Sequence, residues 1–169
     1  MRRARVGDEP AAPQRLMRTA VGSAPIAPRH LSFLAFDFGT RRIGVATGNT
    51  LTGRAEPLRT VAAGAAPPFE SIGRLIAEWN PDALVVGVPR HPDGAEHENT
   101  RRARRFARQL LGRFRLPVHE VDERYTTTEA AAAGAADLDA AAASIILEQF
   151  LSEREATVAR DRGPARSTA

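Results

Sequence analysis

Short apolar runs separated by turn residues occupy the first half of the chain. Three of them cover Leu31 to Phe38, Ile43 to Gly48 and Pro57 to Val61, with turn residues such as Asn49 and Gly53 between them. Apolar runs of this length, bounded by turns, are typical of β-strands. Because no helical segment separates the three runs, the pattern predicts an antiparallel meander.

The second half alternates between helical and strand-like segments. Apolar residues recur at helical spacing from Phe69 to Trp79, and Pro81 ends that helix. The continuous apolar run from Ala83 to Val88 predicts a strand covered on both faces. A helix with one apolar face follows over residues 100–114, and a short strand follows over Val118 to Asp122. This alternating order is that of an α/β domain.

The two ends of the chain differ from the part between them. Residues 1–30 and 152–169 are polar, contain prolines and show no sustained period, so we predict a disordered extension and a disordered tail. Residues 31–151 are predicted to form the folded domain, because a chain of 169 residues suits one domain with a proper core.

The overall charge is basic, but the excess lies in the tails. The net charge is +4, of which residues 1–30 carry +4, residues 152–169 carry +1 and residues 31–151 carry −1. The extension is either a polycation that contacts nucleic acid, a partner-binding tail or the product of an upstream start codon. With no cysteine, no secretory signal and no apolar stretch of about 20 residues, we expect a cytoplasmic location.

Candidate chemistry begins at the first predicted turn. Asp37 ends the first apolar run and Gly39 follows it, before a second strand that starts near Ile43. A carboxylate at a strand end can hold a divalent cation, and a nearby glycine lets a phosphate approach the backbone. Because a strand comes next, the motif differs from nucleotide-binding loops that lead into a helix.

Two more carboxylates lie at a later strand end. Asp122 and Glu123 follow the strand that begins at Val118, and Arg124 comes directly after them. Either carboxylate can join Asp37 around a metal, and Arg124 can neutralise a phosphate or the carboxylates. Thr126 with Glu129 fits a capping box that opens a helix of alanines.

A further carboxylate lies near the start of the last helix. Asp139 shares a helix face with Ala142, Ala143, Ile146 and Phe150, so it lies on the side expected to pack against the sheet. A partly buried carboxylate needs a compensating cation or hydrogen bonds, and a metal shared with Asp37 supplies the first. The alternative is that Asp137 or Asp139 caps the helix.

The helix over residues 100–114 carries a row of arginines on its polar face. Arg101, Arg104, Arg105 and Arg108 have the spacing that places side chains on one side of a helix, and no acid interrupts them. Such a row either tracks a phosphate backbone or is an ordinary solvated face. No aromatic residues lie between the arginines for base stacking.

Four motifs in this order resemble the YqgF family, also called RuvX, of ribonuclease H-like Holliday-junction resolvases and pre-16S ribosomal RNA processing nucleases. The resemblance covers residues 31–151 and rests on four segments, which are Asp37-Phe38-Gly39 with residues 41–46, Gly87-Val88-Pro89 with Asp93-Gly94, Asp122-Glu123-Arg124 with Thr126-Thr127, and Asp139 with the apolar residues after it. It implies a mixed five-stranded sheet, in which an antiparallel meander joins parallel strands, with helices on both faces.

The resemblance also implies the site and its cofactor. Asp37, Glu123 and Asp139 are the implied catalytic and metal-binding residues, with Asp122 as a further candidate ligand. They would hold two Mg²⁺ or Mn²⁺ ions about 4 Å apart on either side of the scissile phosphate. The candidate nucleic-acid-binding residues are Arg41, Arg42, Arg124, Arg101, Arg105 and Arg108.

One segment departs from the family pattern. Family members have a longer basic stretch before the last helix, whereas Ala130 to Ala136 contains no base. We expect the protein to bind a ribosomal RNA precursor or branched DNA and to associate with ribosome assembly. The expected oligomeric state is a monomer or a homodimer. Two alternatives are a noncatalytic ribonuclease H-like binding protein and a nucleotide-binding protein of the actin and sugar-kinase fold group, which needs a second lobe and far more chain.

Overall fold

The computed structural model describes residues 30–90, 93, 96–123 and 137–163. The strands are β1 (Ser32–Phe38), β2 (Arg42–Asn49), β3 (Ala55–Ala62), β4 (Ala83–Pro89) and β5 (Val118–Glu123). The helices are α1 (Phe69–Trp79), α2 (Glu98–Phe114) and α3 (Leu138–Asp161). No helix in these ranges is both long enough and apolar enough to cross a membrane.

The five strands form one mixed sheet in the order β3-β2-β1-β4-β5. β1, β2 and β3 pair antiparallel, which confirms the predicted meander. β4 pairs parallel with β1, and β5 pairs parallel with β4. The carboxyl ends of β1, β4 and β5 therefore meet at one edge of the sheet, which we call the carboxyl edge. This mixed five-stranded sheet is that of the ribonuclease H-like fold, which the family resemblance implies.

Strand alternation divides the core between the two faces of the sheet. Leu34 and Phe36 of β1 pack with the apolar sides of α1 and α2. Phe33 and Ala35, one position out of phase, pack with α3 on the other face. Successive side chains of a strand point to opposite faces, so the position of each residue along β1 determines which helices it contacts.

The C-terminal boundary of the folded part is wrong in the sequence-based prediction. α3 continues to Asp161, whereas we predicted a disordered tail from residue 152. Leu151 is the last buried residue of this helix, so packing against the sheet does end there. The ten further residues are rich in Glu, Arg and Ala, which are strong helix formers and extend a helix that is already nucleated.

Candidate metal centre

Asp37 lies near the carboxyl end of β1, on the face covered by α3. Its neighbour across the antiparallel pair is Gly44 of β2. It follows Phe33 and Ala35 in the two-residue alternation, and both of these pack in the core beneath α3. The carboxyl group of Asp37 is thus partly withdrawn from water at the edge of an apolar layer.

Glu123 reaches Asp37 across the intervening strand. β4 lies between β1 and β5, and Gly87 of β4 leaves the required space. A Cβ at Gly87 would overlap with Oε1 of Glu123 and would lie 2.5 Å from Cδ1 of Ile146. The Glu123 side chain therefore lies over the bare backbone of Gly87, and a hydrogen bond joins its carboxyl group to that of Asp37.

The surroundings of the two carboxyl groups favour a protonated Glu123 beside Asp37 when no cation is bound. Burial, then the negative charge of Asp37, raises the pKa of Glu123 to about 8. Burial also raises the pKa of Asp37, while the hydrogen bond from Glu123 lowers it and the charge of Asp139 raises it. Glu123 is therefore the hydrogen-bond donor and Asp37 the acceptor, because the bond favours protonated Glu123 and ionised Asp37.

Asp139 is brought to the same edge by close packing of α3 on β2. A Cβ at Gly44 would overlap with the carbonyl oxygen of Asp139 and would lie 2.9 Å from the backbone nitrogen of Ala140. Only glycine allows the first turn of α3 to approach β2 this closely. Since Gly44 is opposite Asp37, the same contact places Asp139 beside the Asp37 and Glu123 pair.

Asp137, rather than Asp139, caps the helix. Its side chain accepts a hydrogen bond from the backbone nitrogen of Ala140 at 3.1 Å, and the hydroxyl of Thr60 in β3 donates another. Burial alone would raise the pKa of Asp137, but these bonds together outweigh it and lower the pKa below its usual value. Asp139 is left free of the capping role, and its Oδ2 lies 3.0 Å from Nε of Arg42 instead.

The residues fit a divalent metal, although the site is not assembled. Within the described ranges, no three acidic or histidine side chains are already close enough to hold an ion. Asp37 and Glu123 hold a proton between them, and Asp139 faces the Arg42 guanidinium. Carboxylate oxygens are the donors that Mg²⁺ and Mn²⁺ prefer, and the proton and Arg42 supply the positive charge that such an ion would bring.

Asp122 lies apart from this group. Adjacent residues of β5 point to opposite faces, so the Asp122 side chain lies on the α2 side whereas Glu123 lies on the α3 side. Its Oδ2 is 3.9 Å from Nε of Arg90. The Asp122 carboxylate thus lies near Arg90 and on the opposite face of the sheet from Asp37.

The candidate arginines have different surroundings. Arg41 and Arg42 are exposed at the β1–β2 turn. Arg101 binds Glu98 at 2.9 Å, so α2 does contribute an acid to the row that was predicted to be uninterrupted. Across the described ranges, no carboxylate lies within ion-pair distance of Arg105 or Arg108. Their guanidinium groups remain available to a phosphate.

Several sequence predictions fall outside the described residues. These are the role of Arg124, the capping box of Thr126 and Glu129, and the alanine segment that replaces a basic stretch. Conversely, Gly44, Gly87 and Thr60 support the site but were not singled out for it. Glycine within a strand signals that another group approaches the backbone closely, which is the role of both glycines here.

Comparison with known proteins identifies the family of the chain. Residues 31–153 match the sequence profile of a family described as RuvX: Holliday junction resolvase. A Polaromonas protein (strain JS666) named "Putative pre-16S rRNA nuclease" is 66% identical over 120 residues, which cover 71% of this chain and 87% of the relative. An Albidiferax ferrireducens protein of the same name is 58% identical over 145 residues, covering 82% and 93%.

Solved structures give more distant matches. The structure of T. thermophilus RuvC in complex with a Holliday junction substrate has a TM-score of 0.47 and 16% identity, and the match covers 75% of this chain and 98% of that one. The fowlpox virus Holliday junction resolvase has a TM-score of 0.47 and 14% identity, with 75% and 99% covered. On the match of its sequence to the family profile and to the two relatives, the chain belongs to the RuvX family.

Proposed function

We propose that this protein is a metal-dependent nuclease that hydrolyses phosphodiester bonds in a ribosomal RNA precursor or in branched DNA. The observation that carries the proposal is the convergence of Asp37, Glu123 and Asp139, from three distant chain segments, at the carboxyl edge. The family and the names of the relatives support a nuclease, and the names support ribosomal RNA as the first substrate to test.

The carboxylates are the residues that would hold one or two Mg²⁺ or Mn²⁺ ions. Such ions supply activation of water and stabilisation of the leaving oxygen in phosphodiester hydrolysis. For Glu123 to serve as a ligand it must release the proton that it shares with Asp37. For Asp139 to serve, its carboxylate must turn from Arg42, whose exposed guanidinium then becomes available to a substrate phosphate.

The backbone contributes rigidity to this arrangement. Gly44 and Gly87 allow α3 and Glu123 to approach the sheet, and Asp137 fixes the first turn of α3 to Thr60 of β3. Asp37 and Glu123 are held on strands of one sheet, which positions side chains more precisely than loops do. Among the described residues, the apolar layer under α3 closes one side of the site.

The test is cleavage of two substrates by the parent and two variants. An end-labelled precursor of 16S ribosomal RNA and a four-way DNA junction are incubated with Mg²⁺ or Mn²⁺ and either the parent or Asp37→Asn. Asp161→Asn, at the exposed end of α3, is the matched control. We expect the parent and the control to cut at least one substrate and Asp37→Asn to lose at least about a hundredfold in rate. Equal cutting by all three would refute the assigned site.

An absence of cutting would support a noncatalytic binding protein. In that case the parent should still bind the precursor, and its metal-free form should bind equally well. Resolution of the junction by paired symmetric cuts requires a dimer, whereas trimming of a precursor does not. A monomeric active form in sedimentation would therefore exclude paired junction cutting. Co-sedimentation with precursor ribosomal particles tests the proposed role in ribosome assembly.

A further inference from the structure

A cavity of about 470 Å³ opens beside the β1–β2 turn. One wall is the turn and another is the segment between β3 and α1, while α2 closes the third side. Its lining comprises Phe38, Gly39, Thr40, Ala63, Gly64, Ala65, Ala66, Pro67, Arg102, Arg105, Phe106 and Gln109. A cavity of this size is in the range of pockets that bind small organic groups.

The walls combine apolar surface with positive charge. The rings of Phe38 and Phe106 stack with their centroids 4.9 Å apart and form the apolar floor of the cavity. Nε of Arg102 lies 2.8 Å from Oε1 of Glu98, so its charge is already paired. Arg105 has no acidic partner within ion-pair distance among the described residues. An apolar floor beneath the guanidinium of Arg105 suits a ligand that has an aromatic part and an anionic part.

The position of the cavity relates it to the carboxylates. Phe38 directly follows Asp37, and strand alternation places their side chains on opposite faces of the same strand end. The cavity and the carboxylate group therefore lie on the two sides of the carboxyl edge, one residue apart along β1. A polynucleotide that crosses this edge with its phosphate at Asp37 brings a neighbouring nucleotide over Phe38.

We propose that this cavity binds an unpaired nucleotide adjacent to the scissile phosphate, with its base against Phe38 and its phosphate on Arg105. The inference rests on the proposed function, whose substrate it narrows to a single-stranded segment. A base within a duplex can enter such a pocket only after unstacking, which is unfavourable. Binding of a base to an aromatic surface requires no particular sequence.

Two glycines provide a matched pair of variants. Gly64 lines the cavity and is exposed, and a Cβ placed there would meet no atom of the described residues beyond its chain neighbours within 4 Å. Gly112 on α2 is exposed with equally open space, and it lies outside the cavity. Gly64→Leu therefore adds a large side chain at the wall of the cavity without a steric conflict, and Gly112→Leu adds the same side chain elsewhere.

The experiment measures binding of fluorescent oligonucleotides by anisotropy in EDTA, which prevents metal-dependent cleavage. Single-stranded RNA and DNA are compared with the same strands carrying one abasic nucleotide at successive positions, and with duplexes. We expect one abasic position to weaken binding about tenfold in the parent and in Gly112→Leu, as loss of one stacked base does. Gly64→Leu should lose that difference and bind both strands equally weakly.

Arginine variants test the anionic half of the proposal. Arg105→Gln should weaken binding of intact and abasic strands alike and reduce the salt dependence of binding by about one ion. Arg74→Gln, on α1 and paired with Glu70 at 2.6 Å, is the matched control and should retain the parent's affinity. An unchanged salt dependence in Arg105→Gln would overturn the assignment of the phosphate to this residue.

Failure of the inference is distinguishable from failure of the proposed function. If the parent cuts its substrate but no abasic position matters, or if Gly64→Leu keeps the abasic effect, the cavity does not bind a base. Duplexes that bind as tightly as single strands would also overturn the inference. If the abasic effect is present but no substrate is cut, nucleotide binding at the cavity stands and the nuclease proposal fails.

Discussion

Replacement of Glu123 by glutamine isolates the cost of burying a second carboxylate beside Asp37. Burial raises the pKa of Glu123 to about 8 from its ordinary value of 4.5. Between these values the folded protein holds a proton that the unfolded chain has released, so stability falls as the pH rises. Glu123→Gln keeps the size and the hydrogen-bonding group of the side chain but has no proton to lose.

The size of the change in folding stability with pH follows from the folded and ordinary pKa values of Glu123. One extra proton in the folded state lowers stability by about 1.4 kcal/mol for each pH unit, which gives at most about 5 kcal/mol between pH 4.5 and 8. A loss of this size is a large fraction of the roughly 5 to 15 kcal/mol that stabilises a typical domain. We therefore expect the metal-free parent and Glu123→Gln to be similarly stable near pH 4.5 and the variant to be clearly more stable at pH 9.

The assay is urea unfolding at pH 5, 6, 7, 8 and 9 in EDTA at constant ionic strength. Glu56→Gln, an exposed glutamate of β3, is the matched control. Addition of Mg²⁺ or Mn²⁺ at pH 8 should stabilise the parent and the control by mass action but leave Glu123→Gln nearly unchanged. A difference between the parent and Glu123→Gln that does not vary with pH would refute the shared proton.

Three further substitutions test the surroundings of the site. Arg42→Ala should bind Mn²⁺ severalfold more tightly by titration calorimetry, because Asp139 loses the competing guanidinium; unchanged affinity would contradict this competition. Gly44→Ala should lose about 1 to 3 kcal/mol of stability in urea unfolding, because its Cβ would meet the Asp139 backbone. The variant should also lose metal binding, and stability equal to that of the parent would refute the close packing. Thr60→Val should lose about 1 kcal/mol in the same measurement, since Asp137 loses a hydrogen bond. An equal loss in an Asp137→Ala background, which has no side-chain acceptor, would show that this bond is not the cause.

Periodicity was sufficient to predict the strands and most of the helices. β1 shows why, since its residues alternate between two apolar layers and Asp37 interrupts the layer under α3 only at the strand end. The position of Asp139 on the inner face of α3 also followed from helical spacing. Both are local properties of short segments, which residue spacing records directly.

The contacts that assemble the site depend on strand order and register. Glu123 reaches Asp37 only because β4 lies between their strands and has Gly87 at the crossing point. The ion pair of Arg42 with Asp139 likewise depends on the contact of α3 with Gly44. Spacing along the chain carries no information about which distant residue lies opposite, so these contacts required the structure.

Charge was the least predictable feature. The arginine row of α2 was predicted to be uninterrupted because its acidic partners precede the row or lie elsewhere in the chain. Glu96 pairs with Arg104, and Glu120 of β5 lies 3.5 Å from the same side chain. Among the described residues of α2, Arg105 and Arg108 have no such partner, and Arg105 is distinguished from Arg108 by the cavity that it lines.

We propose that Asp37, Glu123 and Asp139 bind a divalent metal and that the protein uses it to cut nucleic acid. Metal-dependent cleavage tests the metal binding and the cutting together. The measurement is the rate of cleavage of end-labelled precursor ribosomal RNA and of branched DNA against Mg²⁺ or Mn²⁺ concentration, for the parent and Asp37→Asn. We expect the parent's rate to rise from zero in EDTA to saturation, while Asp37→Asn remains inactive at every concentration. Cleavage that persists in EDTA, or that is equal in the two proteins, would contradict the proposal.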